Sequence, residues 1–171
     1  MIKNAQEELL LLRCLKMEKP AIEELTRQYG SKGMGFLVSL LGEQPQSLYQ
    51  DMIVGGLAKY LHSKKPFQAE DSILVGLIQE LLPSIYKIQK TFSFVVVETK
   101  YSLKDQILLK ALSNMRFEER LLLLLRDQMS LQYDEITFLV FRPLESIRHQ
   151  VQQARLSFRN FISQQTSSDS L

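Results

Sequence analysis

The chain has no tryptophan, one cysteine and two histidines in 171 residues. A lone cysteine, Cys14, excludes an internal disulfide framework and a cysteine-rich zinc site. His62 and His149 lie far apart, and neither has the cysteine or carboxylate spacing that would suggest a metal site. No apolar run approaches the roughly 20 residues that a membrane span requires. The opening Met1-Ile-Lys-Asn-Ala-Gln-Glu-Glu puts acids where a secretory signal would have a basic and then an apolar region, so a cytoplasmic protein is expected. Gly30-Ser-Lys-Gly-Met-Gly lacks the spacing of a phosphate-binding loop, and no strand leads into it. No nucleophile and base can be matched by spacing, so neither enzymatic activity nor a cofactor is expected. A net charge of +2 is too small to argue by itself for a polyanionic partner.

Hydrophobic residues make up 45% of the chain, enough for a real core. Their spacing is helical over most of the length. Residues 5–16, a helix entered through Pro20 and ending at Gly42, residues 46–61 and residues 71–82 each carry an apolar stripe, the last ending near Pro83. Thr91-Phe-Ser-Phe-Val-Val-Val-Glu-Thr-Lys-Tyr-Ser changes character: β-branched and aromatic residues predict an extended strand or linker. Helices resume over 103–112 and 117–128, the latter with five consecutive leucines, Leu121 to Leu125. The expected class is all-α, in two lobes.

The positive charge is concentrated near the end. Arg142, Arg148, Arg155 and Arg159 face a single acid, Glu145, within residues 141–162. After Pro143, the residues Leu144, Ile147, Val151, Ala154, Phe158 and Phe161 recur in steps of three and four, one stripe for packing. At about 100° per residue, His149, Gln152, Gln153, Leu156 and Asn160 point away from it, with Arg148, Arg155 and Arg159 along one flank. Arginine reads guanine or holds phosphate, and glutamine reads adenine. In the preceding helix, Ile136 and either Leu139 or Val140 can meet Ile147 and Val151 across a short turn, which is a helix-turn-helix.

The stretch MRFEERLLLLLRDQMSLQYDEITFLVFRPLESIRHQVQQARLSF resembles the C-terminal, −35-binding domain of bacterial sigma factors, especially the extracytoplasmic-function group. Met115, Arg116 and Arg120 stand at that family's Leu-Pro and Arg, Glu135-Ile136 at its Glu-Ile, Ser146-Ile147 at its Thr-Val and Ala154-Arg155 at its Ala-Arg. Phe141 and Glu145 stand at two of its glycines, Gln132 at its serine cap, and Gln150 and Gln153 at two of its arginines. Ala21-Ile-Glu-Glu-Leu-Thr-Arg-Gln-Tyr-Gly is similar to a motif of the family's first lobe, and Gln50-Asp51 match the pair on its polymerase-clamp helix.

The resemblance implies residues 1–88 as a sigma region 2-like domain, 89–104 as a linker, 105–162 as a region 4-like helix-turn-helix domain and 163–171 as a flexible tail. It implies DNA contacts from Arg142, Ser146, Arg148, His149, Gln152, Gln153, Arg155 and Arg159, and polymerase contacts from Gln50 and Asp51. The expected partners are core RNA polymerase and promoter DNA, with an anti-sigma factor or another sigma factor as further candidates. The alternative is a sigma-mimicking adaptor without ordinary promoter recognition. The absent tryptophan, Glu145 near the DNA backbone and the apolar linker favour that alternative.

Overall fold

The computed structural model describes residues 5–63 and 72–168. All regular structure among them is helical: α1 (Ala5–Leu15), α2 (Lys19–Leu41), α3 (Gln46–Ser63), α4 (Ile73–Thr91), α5 (Leu103–Ser113), α6 (Phe117–Leu123), α7 (Tyr133–Val140) and α8 (Leu144–Ser168). A single 3-10 turn covers Glu98–Lys100, and a π turn covers Leu124–Gln128. The chain divides into two compact units, Met1–Gly35 with Pro45–Ile88, and Phe36–Gln44 with Gln89–Leu171. No described helix is long and apolar enough to cross a membrane.

In the first unit, α1 buries Leu10, Leu11 and Cys14, and α3 buries Tyr49, Ile53, Leu57 and Tyr60. The α4 face of Ile73, Leu77, Ile78, Leu81 and Ile85 is at most 2% exposed. Gly76 lets α4 come close to α3, since a Cβ there would lie 2.0 Å from the Tyr60 ring. Only glycine fits that approach. Pro83 does not end α4, as its position near the end of the apolar run suggested; the helix continues to Thr91. A proline removes one helical donor and crowds the carbonyl four residues back. Here Pro83 and Gln79 both lie on the exposed face, where water can satisfy that carbonyl.

The second unit begins with the last residues of α2, a division that no change of composition announces. Phe36, Leu37 and Leu40 are wholly buried. Gly42 then turns the chain at φ 77°, where a side chain would be strained and would strike the backbone of Val95. Of the two forms expected over 91–102, an extended strand or a linker, no strand forms: 92–97 is irregular, and Tyr101-Ser102 precede α5 without pairing as a strand. The segment's edge is nevertheless occupied. Val95 accepts a backbone hydrogen bond from Glu43 at 2.7 Å, Ser93 accepts one from the Gln44 amide at 3.4 Å, and Lys100 pairs with Glu43 at 3.1 Å.

α5, α6 and α7 all pack on α8. Leu121 to Leu125 are all at most 6% exposed, so the apolar run is buried on every side of the helix rather than along one stripe. From Leu124 the helix widens into the π turn, where Met129 N–H reaches the Leu124 carbonyl, five residues back. At the other end, the tail expected to fray from Ser163 is helical as far as Ser168; 169–171 lie outside the described residues. α3 remains helical through Ser63, and residues 64–71 lie outside the described residues.

Candidate nucleic-acid interface

α7 starts where Glu135 reaches back to accept the Gln132 N–H at 2.7 Å, so glutamine serves at a position for which serine is the usual choice. It ends at Phe141, φ 53° and ψ 44°, whose N–H bonds the Thr137 carbonyl at 2.9 Å. This left-handed residue is the one aligned with the family's glycine. Its phenyl ring is 85% exposed and stands 6.4 Å from that of Phe138. The chain then passes through Arg142 and Pro143 into α8, whose Ile147 N–H bonds the Pro143 carbonyl at 3.1 Å.

Ile147, Val151 and Ala154 are fully buried, and Leu144, Phe158 and Phe161 are half-buried. Across the turn, Ile136 and Leu139 are buried and Val140 only partly, so the inner contact belongs to Leu139. With that stripe seated, Arg148, His149, Gln152, Gln153 and Arg159 are exposed together on the outer side, and Arg142, Ser146 and Arg155 are half-buried at its edges. Gln50 and Asp51 lie exposed beside each other on α3, next to buried Tyr49.

Most of the guanidinium groups are already engaged by acids. Arg142 bonds Glu118 at 2.9 Å and the Gln150 amide oxygen at 3.1 Å, and Gln150 in turn donates to Ser146 at 2.9 Å. Arg148 pairs with Glu145 at 2.9 Å, and its other side lies 5.7 Å from the Tyr133 ring. Arg155 grips both oxygens of Asp127, which the π turn carries to it, and these bonds hold the Arg155 pKa above its ordinary value. Arg159 has no ion pair among the described residues. Arg142, His149, Gln150 and Gln153 border a cleft of about 460 Å³ whose other wall includes Arg116, Glu118 and Glu119.

Glu118 and Asp127 escaped the sequence reading. They lie 24 and 28 residues from their arginines, and only packing of α6 and the π turn on α8 makes them neighbours. Arg120 was legible as a motif residue but not in its setting. It is 6% exposed, donates to the Leu112 carbonyl at 2.8 Å and stacks 4.5 Å from the Phe94 ring. Its Nε–H finds no acceptor among the described residues, and desolvation lowers its pKa to about 10.

The fold thus defines an all-helical chain whose second unit ends in a helix-turn-helix. No protein-family model matches the chain, and no curated protein matches it in sequence. Among solved structures it is similar to the sigma factor RpoE of Bartonella quintana, determined in complex with the anti-sigma factor NepR. The TM-score is 0.68 at 18% identity, over 85% of this chain and 98% of that one. At that identity the likeness is one of fold: the chain has a sigma-factor fold.

Proposed function

We propose that the protein is a sigma-factor-like transcription initiation protein. Residues 1–88 act as the polymerase-binding lobe, with Gln50 and Asp51 in the contact, and 105–162 as the DNA-binding lobe, joined by 89–104. The leucine-rich second lobe supplies a further polymerase contact, and α8 enters the major groove. The observation that carries this reading is the exposed row of Arg148, His149, Gln152, Gln153 and Arg159 opposite a buried stripe, on the second helix of a helix-turn-helix. An arginine or glutamine reading a base edge is worth about 1–3 kcal/mol of discrimination. Substituting Arg148 or Gln152 relaxes sequence preference, whereas losing Arg155 or Arg159 weakens binding to all sequences. The test is reconstitution with core RNA polymerase on promoter templates: specific initiation supports the reading, and DNA binding unchanged by Arg148→Ala with Arg155→Ala defeats it.

One observation favours a second reading, the sigma-mimicking adaptor that binds polymerase, a sigma factor or an anti-sigma factor such as the one bound to RpoE. Arg142, Arg148 and Arg155 are all paired with acids, which leaves the rim of α8 nearly neutral. Polymerase or anti-sigma binding without initiation in the same reconstitution is its signature.

A further inference from the structure

We propose that the outer face of α1 pairs with the same face of a second copy of the chain, antiparallel and centred on Leu12. α1 is apolar on two sides. Leu10, Leu11 and Cys14 face its own unit, yet Leu9 is 59%, Leu12 42% and Leu15 36% exposed, and Met17 just beyond is 74% exposed. Leu9, Leu12 and Leu15 follow one another in steps of three along that side, and such a contiguous exposed apolar ridge marks an interaction surface. Leu15 and Met17 also line an apolar pocket of about 280 Å³ with Val54 and Leu57, so the ridge belongs to a broader apolar surface.

The charges at the ends of this face identify the occupant. The Lys16 N–H bonds the Leu12 carbonyl at 3.3 Å, so helical register extends to Lys16. At about 100° per residue, Glu8, Leu9, Leu12, Leu15 and Lys16 therefore share one face. Glu8 lies four residues before Leu12 and Lys16 four after it. Turning a second copy end over end about Leu12 sets Glu8 against Lys16 of that copy, Leu9 against its Leu15 and Leu12 against its Leu12. Glu8 is half-buried and Lys16 exposed, and neither has an ion pair among the described residues. A helix that lies on a membrane carries bases along its polar border, whereas this face has opposite signs at opposite ends. Such self-complementarity is what a two-fold dimer requires, and two-fold dimers are the commonest oligomers. The pairing is independent of the DNA-binding reading.

Sedimentation velocity of the full chain over a dilution series tests it. The mass is expected to rise from 19.8 kDa toward twice that value with concentration. Leu12→Asp sets two carboxylates on the two-fold axis and is expected to leave a folded monomer throughout, with folding checked by circular dichroism. Glu8→Lys and Lys16→Glu each weaken self-association about tenfold, and mixing the two restores it because both ion pairs re-form between unlike copies. A mass that stays at 19.8 kDa at every concentration overturns the proposal. So does a dimer that survives Leu12→Asp, or one indifferent to both charge reversals. An apolar partner other than a second copy corresponds to the first of those outcomes.

Discussion

Asp127→Asn combined with Glu145→Gln should make the protein bind DNA more tightly, which inverts the usual result of substituting charged residues near a binding surface. Arg148 and Glu145 are 51% and 80% exposed, and Arg155 and Asp127 37% and 42%, so each pair lies within reach of water and salt. An exposed pair of this kind is worth about 0.2–1 kcal/mol. An arginine that moves from its carboxylate to a phosphate forfeits that amount, so two such pairs subtract about 0.4–2 kcal/mol from DNA binding, about two- to thirtyfold in affinity. Removing the acids returns that affinity. It also frees two cations, and each additional phosphate neutralised steepens the dependence of log K on log salt by about 0.9, or up to about 1.8 for both. Fluorescence anisotropy with a labelled duplex, between about 50 and 200 mM salt, reads both quantities. Glu23→Gln with Glu24→Gln makes the same change of net charge on α2 and should leave the slope alone. A double variant that binds no tighter than the parent, with an unchanged slope, would refute the idea that these acids restrain the arginines.

Phe141→Gly removes a left-handed, almost fully exposed phenylalanine; the conformational relief of about 1–2 kcal/mol, less the entropy of a freer unfolded chain, should raise stability by about 0.5–1 kcal/mol in urea unfolding. A loss of stability would show that the ring's contact with Phe138 outweighs the strain. Two glycines of the first unit should respond in opposite directions. Gly55→Ala meets nothing within 4 Å and should stabilise by about 0.5–1 kcal/mol, whereas Gly76→Ala drives a methyl into the Tyr60 ring and should destabilise by about 1–3 kcal/mol. Equal responses would contradict the close approach of α3 and α4. The side-chain hydrogen bond from Arg116 holds the Glu119 carboxyl below the ordinary carboxylate range. Because the folded value lies below the unfolded one, this contribution to stability is present at neutral pH and is lost as pH falls through the folded value. Arg116→Ala should return the Glu119 titration, followed by NMR, to the ordinary range.

The helix-turn-helix was legible because its signals are local. The step of three and four from Leu144 to Phe161, proline before α8 and glutamate three residues after the α7 cap are consequences of helical geometry that need no partner. The same locality explains what the sequence left open or misplaced. β-branched residues over 91–102 favour an extended backbone, but whether such a segment forms a ladder depends on its neighbour, and here the Glu43 N–H bonds Val95 without a ladder forming. Pro83 reads as a stop, yet a proline on a wet face leaves its orphaned carbonyl to water and the helix persists.

Periodicity determined, from the sequence alone, which side of α8 faces inward and which residues it presents outward. Only the tertiary structure decided how much of that outward charge is free. Glu118 and Asp127 reach Arg142 and Arg155 across 24 and 28 residues, and no local pattern encodes a meeting set by how α6 and the π turn lie on α8. Helical spacing is a property of each segment, whereas neutralisation of a guanidinium depends on what the rest of the fold brings to it.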